Sequence, residues 1–224
     1  MTPARRPGGA RDLLEGNGAG FLRERALAAA VQQALERVYH LERTAGVGDF
    51  LHPANDGERE GLLVRDAGDG TIEMRLHLPA LARREFDVAK AGDLDPLCQL
   101  IEGVSHFVYL AERARADREA TQLELELQAE VDKYVVLAGT VSKTFDVGVS
   151  ETLRARLYEM VAYEHDAETD AGERYRVAND LANRYVRRLE REYVAQHRFG
   201  ELRSELRRFY RLGQEEKLRA SRAA

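Results

Sequence analysis

The chain has 224 residues, of which 44% are hydrophobic and 33% charged, and its formal charge is -5. That length supports one large domain with appendages, and a composition without tryptophan and with only five prolines fits a helical, water-soluble protein. A single cysteine, Cys98, excludes an intrachain disulfide and a cysteine-rich zinc site; no run approaches the roughly 18 apolar residues of a membrane span.

Residues 1–20 hold two prolines and five glycines in a polar setting and read as a disordered N-terminal arm. With no apolar stretch after its arginines, the arm is not a secretory signal, and a cytoplasmic location is expected. From about Phe21 to Glu42, Leu27, Val31, Leu35 and Val38 recur at three- and four-residue spacing and predict a first helix. A loop marked by Gly46, Gly48, Pro53 and Gly57 follows. Residues 61–65 and 71–78 then flank Asp66-Ala67-Gly68-Asp69-Gly70. In the second segment Ile72, Met74, Leu76 and Leu78 alternate with Glu73, Arg75 and His77. This predicts a β-hairpin over 61–78, the only sheet expected.

Asp95 before Pro96 marks the next helix start, and residues 95–212 read as a helical bundle. Its helices are expected near 95–117, 123–138, 173–196 and 201–212, with a further one capped by Ser150 and carrying Leu153, Leu157, Met160 and Val161. Thr121 and Glu124 have capping-box spacing. Gly213 stops the last helix and leaves residues 214–224 as a flexible basic tail. The predicted fold is mainly α, a single domain over 21–213. It is an antiparallel helical bundle with one β-hairpin inserted after the first helix, and that helix and the hairpin pack outside four long helices.

The candidate chemistry lies in acids on apolar faces. With Leu123 at zero and about 100° per residue, the apolar arc of its helix centres near about 50°. Glu124 and Glu130 then border the arc, whereas Glu126 and Asp132 fall outside it. Glu164 sits in the same way between Leu157 and Met160. Ionised carboxylates inside a bundle need a partner, so these positions are candidates for a polar interior. Glu102 and His106 stand four apart on one side of their helix and could supply two ligands to a divalent metal. Together Glu102, His106, Glu124, Glu130 and Glu164 form the candidate metal set. The chain has no Glu-x-x-His, the repeated element of carboxylate-bridged di-iron bundles. It also lacks the phosphate-loop, G-x-S-x-G, H-E-x-x-H and dinucleotide glycine patterns, so catalytic residues and an organic cofactor stay unassigned.

The C-terminal segment offers a different chemistry. Phe199, Leu202, Leu206 and Phe209 make an apolar stripe beside Arg207 and Arg208, a pattern suited to docking on a protein partner or a second copy of the chain. From Arg184 to Arg222 there are twelve Lys/Arg against six Asp/Glu, and Arg5, Arg6 and Arg11 stand at the other end. Three readings follow: a non-enzymatic interaction or regulatory module, with a homodimer as one form, using the hairpin edge or the last helix; a bundle with a carboxylate/His interior that binds a metal ion or small ligand for hydrolytic or redox chemistry; and nucleic-acid binding through the basic termini.

Overall fold

The structure, a computed structural model, describes residues 21–43, 45–55, 57–66, 72–81, 94–140, 145–163 and 165–222. The expected arm at 1–20 and Glu164 lie outside the described residues. The fold is mainly α, with a small sheet after the first helix, as the hydrophobic periodicity indicates. The helices are α1 (Leu22–Tyr39), α2 (Leu94–Arg115), α3 (Gln122–Thr140), α4 (Val147–Tyr158), α5 (Asp170–Leu189), α6 (Phe199–Arg211) and α7 (Gln214–Arg222). The strands are β1 (Leu51–Pro53), β2 (Gly61–Asp66) and β3 (Ile72–Leu78).

The sheet differs from the expected hairpin by one strand. β2 and β3 pair antiparallel, Leu62 opposite Leu76 and Val64 opposite Met74, and β1 adds in parallel on the other side of β3, Leu51 opposite Leu76. Three residues ending in proline carry too short a pattern to announce a strand. The alternation in β3 does hold: Leu76 and Leu78 are fully buried against α2, while Glu73 and Arg75 face solvent. A Cβ on Gly103 of α2 would meet Leu76 Cδ1 at 2.9 Å, so helix and sheet touch closely at that glycine.

Helix α1 belongs to the core and does not pack outside it. Ala28, Leu35 and Tyr39 are buried, and the helix contacts α2, α3 and α6. It ends where His40 takes a left-handed conformation, φ 55°, and its N–H closes onto Glu36 O. The Gln32 side chain then pins the following loop, donating to Ala45 O at 2.7 Å and accepting from Val47 N at 2.8 Å.

Four other boundaries are corrected. Asp146, not Ser150, caps α4, its side chain accepting from Val149 N at 2.9 Å. That helix stops at Tyr158, which leaves Met160 (72%) and Val161 (39%) exposed rather than on an inner face. Helix α5 starts at Asp170, capped by Thr169, whose hydroxyl accepts from Gly172 N, and continues into a π-turn at Glu190–Val194. The expected flexible tail is instead helix α7, docked on α5 and α3 with Lys217 and Ser221 fully buried. Its few apolar residues hid it, because its main anchor is a lysine.

Candidate functional site

Helix α3 contacts α1, α2, α4, α5 and α7 and is therefore buried on more than one face. Its apolar stripe of Leu127, Val131 and Tyr134 is flanked by two polar rows, buried except for the half-buried Glu130. Glu126, Glu130 and Lys133 run along one side at three- and four-residue spacing, and Glu124, Gln128 and Asp132 along the other at four-residue spacing. Reading α3 as a helix with one inner arc places Glu126 and Asp132 in solvent; the structure buries both.

The facing helix α2 answers each row. Glu102 and His106 meet Glu126, Glu130 and Lys133. The Lys133 ammonium lies 2.7 Å from Glu102 Oε2 and 2.9 Å from Glu130 Oε1. One ligand atom each from Glu102, His106 and Glu126 fall within 4.8 Å of one another. His106 Nε2 is 3.7 Å from Glu126 Oε2 and has no hydrogen-bond partner, although its side chain is only 15% exposed. Arg174 Nε of α5 reaches Glu126 Oε1 at 3.9 Å. Glu60, just before β2, is close enough for its charge to act on this group.

The cluster holds more carboxyl groups than buried cations. Burial, then the Glu102 charge, pushes Glu60 and Glu126 up to about 8, against the opposing pull of Lys133. Glu130 is also raised by burial in spite of Lys133. At Glu102 burial is outweighed by the charge and hydrogen bond of Lys133, and its carboxyl is held below the usual range. Burial would lower Lys133, but Glu102 and Glu130 outweigh it and keep it protonated. Burial lowers His106, so its imidazole is neutral at neutral pH and Nε2 can carry a lone pair.

A cavity of about 670 Å³ opens beside the cluster, lined by Glu60, Glu102, Glu130, Lys133, Tyr175 and Asn179 among others. Glu102 belongs to both cavity wall and cluster. Asn179 also donates to Tyr158 O at 3.0 Å, tying α5 to the end of α4. Cys98 is in the wall too, its thiol pushed up to about 12 by burial and so not a nucleophile at neutral pH.

The second row of α3 is a clasp. Asp132 accepts from Tyr39 Oη at 2.5 Å, Ser105 Oγ at 2.6 Å and Gln128 Nε2 at 2.8 Å. Gln128 Oε1 in turn accepts from Lys217 Nζ at 2.5 Å. Lys217 also lies 4.3 Å from the Tyr109 ring centre and 5.2 Å from that of Phe209. Burial drives it well below the ordinary lysine value, more than Asp132 can restore.

No family model, curated protein or solved structure matches this chain. The site therefore rests on its own geometry.

Of the candidate metal set, Glu102, His106 and Glu130 come together. Glu124 goes elsewhere: its backbone N–H donates to the Thr121 hydroxyl cap at 3.2 Å, and its carboxylate accepts from Arg113 and Tyr109. Glu126, Lys133 and Glu60 are missing from that set. The signal for the first two was the spacing of Glu126, Glu130 and Lys133 on one face, opposite Glu102 and His106. Nothing local marked Glu60. On α6, Leu202, Leu206 and Phe209 are buried in the chain's own body, Phe199 is half-buried, Arg207 donates to Val38 O at 2.7 Å, and Arg208 pairs with Glu205 at 2.8 Å. Among the described residues no helix is long and apolar enough to cross a membrane.

Proposed function

We propose that the chain binds one first-row divalent metal ion through Glu102, His106 and Glu126, and that the adjoining cavity admits a small molecule to it. The observation that carries this reading is His106 Nε2: a buried ring nitrogen with no partner, beside two carboxylates whose oxygens lie within 4.8 Å. A buried polar atom of this kind calls for an explanation, and a metal supplies one. An N,O,O donor set suits zinc, manganese or iron(II), and three protein ligands leave a coordination position for water or substrate. Hydrolytic or redox chemistry on a cavity-bound molecule is the corresponding activity, in a cytoplasmic setting.

Elemental mass spectrometry and calorimetric titration with zinc and manganese test it, on wild type and on the His106→Ala and Glu126→Gln variants. One ion per chain, lost in both variants while circular dichroism is unchanged, supports the reading. Absence of binding in wild type, or binding indifferent to both substitutions, rejects it.

One observation favours an interaction role in addition. β2 is a sheet edge, with Leu63 62% and Val64 49% exposed, a surface suited to strand addition by a protein partner or a second copy. Light scattering on wild type and Val64→Glu is the check; a monomer in both cases removes the homodimer.

A further inference from the structure

A second cavity, of about 320 Å³, lies where α1, α2 and α6 end. Arg113 and Arg115 come from the last turn of α2, Arg118 from the segment after it and Arg211 from the end of α6; His40, Tyr109 and Tyr210 also line the wall. The carboxylates in the lining are Glu42 and Glu112. Glu112 gives both oxygens to Arg115, at 2.7 and 2.9 Å, and Glu42 acts on the same guanidinium. Arg113 is held by Glu124 and by Leu212 O. Arg118 and Arg211 are exposed and have no carboxylate at ion-pair distance among the described residues.

Arginines at helix C-termini ordinarily answer free carbonyls. Here several of those carbonyls are already taken. Glu36 O accepts from His40 and Leu41, Arg113 O from Ala116 and Arg118, Phe209 O from Leu212, and Leu212 O from Arg113. Two buried donors in the wall meanwhile have nothing to donate to: Oη of Tyr210, 4% exposed, and Nε of Arg113, 7% exposed. Burial holds the Tyr210 hydroxyl well above its usual value, so it remains a donor. Two buried donors of the wall are thus left without an acceptor, beside two exposed guanidinium groups without a carboxylate at ion-pair distance among the described residues.

We propose that this cavity binds a phosphate group, with Arg118 and Arg211 as the charged clamp and Tyr210 Oη as a neutral donor. Guanidinium forks match paired phosphate oxygens, and the volume leaves room for a small organic group beside the phosphate. The site is independent of the metal cluster.

The experiment is titration with inorganic phosphate and with phenyl phosphate, by calorimetry and thermal shift, against chloride at matched ionic strength. Wild type is compared with the Arg118→Ala/Arg211→Ala double variant and with Tyr210→Phe, each checked by circular dichroism. Saturable phosphate binding that weakens at least tenfold in the double variant and severalfold in Tyr210→Phe is expected. Tighter phenyl phosphate identifies a small organic monoester, and equal affinity identifies free phosphate. If both anions act only as chloride does, or the double variant binds as wild type, the proposal is wrong.

Discussion

Lys133 of α3 holds its ammonium 2.7 Å from Oε2 of Glu102 of α2, and neither side chain is more than 10% exposed. This buried pair joins the two helices where the cavity meets the carboxylate cluster. Burying the charges is costly, and their mutual attraction, with Glu130 as a second acceptor, offsets that cost.

Removing the cation alone exposes the imbalance. Lys133→Met is expected to lose about 3–5 kcal/mol at neutral pH, the usual cost of breaking a buried pair from one side, measured by urea unfolding. Added zinc or manganese should recover part of the loss by supplying the missing positive charge. A variant as stable as wild type without metal would show that Lys133 does not hold this interface together.

The clasp on α7 has its own pH signature. Lys217 has a folded value below its unfolded one, so the unfolded chain binds more protons in the interval between them. Its contribution to stability therefore grows as pH rises towards the ordinary lysine value of about 10.4 and is lost as pH falls through the interval. Urea midpoints at pH 7 and pH 9.5 should show wild type gaining relative to Lys217→Met. Parallel midpoints at the two pH values would mean that the lysine is protonated in the folded state.

The start of α5 is set by a close approach. A Cβ on Gly172 would fall 1.9 Å from Asp166 O, a backbone atom, in the turn that Thr169 caps. Gly172→Ala is expected to destabilise by about 2–3 kcal/mol through overpacking. Gly200→Ala in α6, where nothing lies within 4 Å, should range from neutral to about 1 kcal/mol stabilising. Thermal unfolding of the two variants gives the comparison, and equal shifts would contradict it.

Local rules of the chain determined much of the fold. Apolar spacing in α1, α2, α3 and α5, the alternation in β3 and the stop at Gly213 are decided by side-chain direction and backbone sterics over a few residues. The four-residue spacing of Glu102 and His106 was equally plain. Tertiary structure decided the rest, because burial depends on how many neighbours an element acquires. Surrounded by five helices, α3 has no solvent face, so Glu126, Lys133 and Asp132 are buried where a single-arc wheel puts Glu126 and Asp132 in water. Glu60 reaches the cluster because the sheet packs against α2, and α7 docks because Lys217 finds Gln128 and two aromatic rings. Those pairings span distances along the chain that no local pattern encodes, and they exist only once the helices have chosen their neighbours.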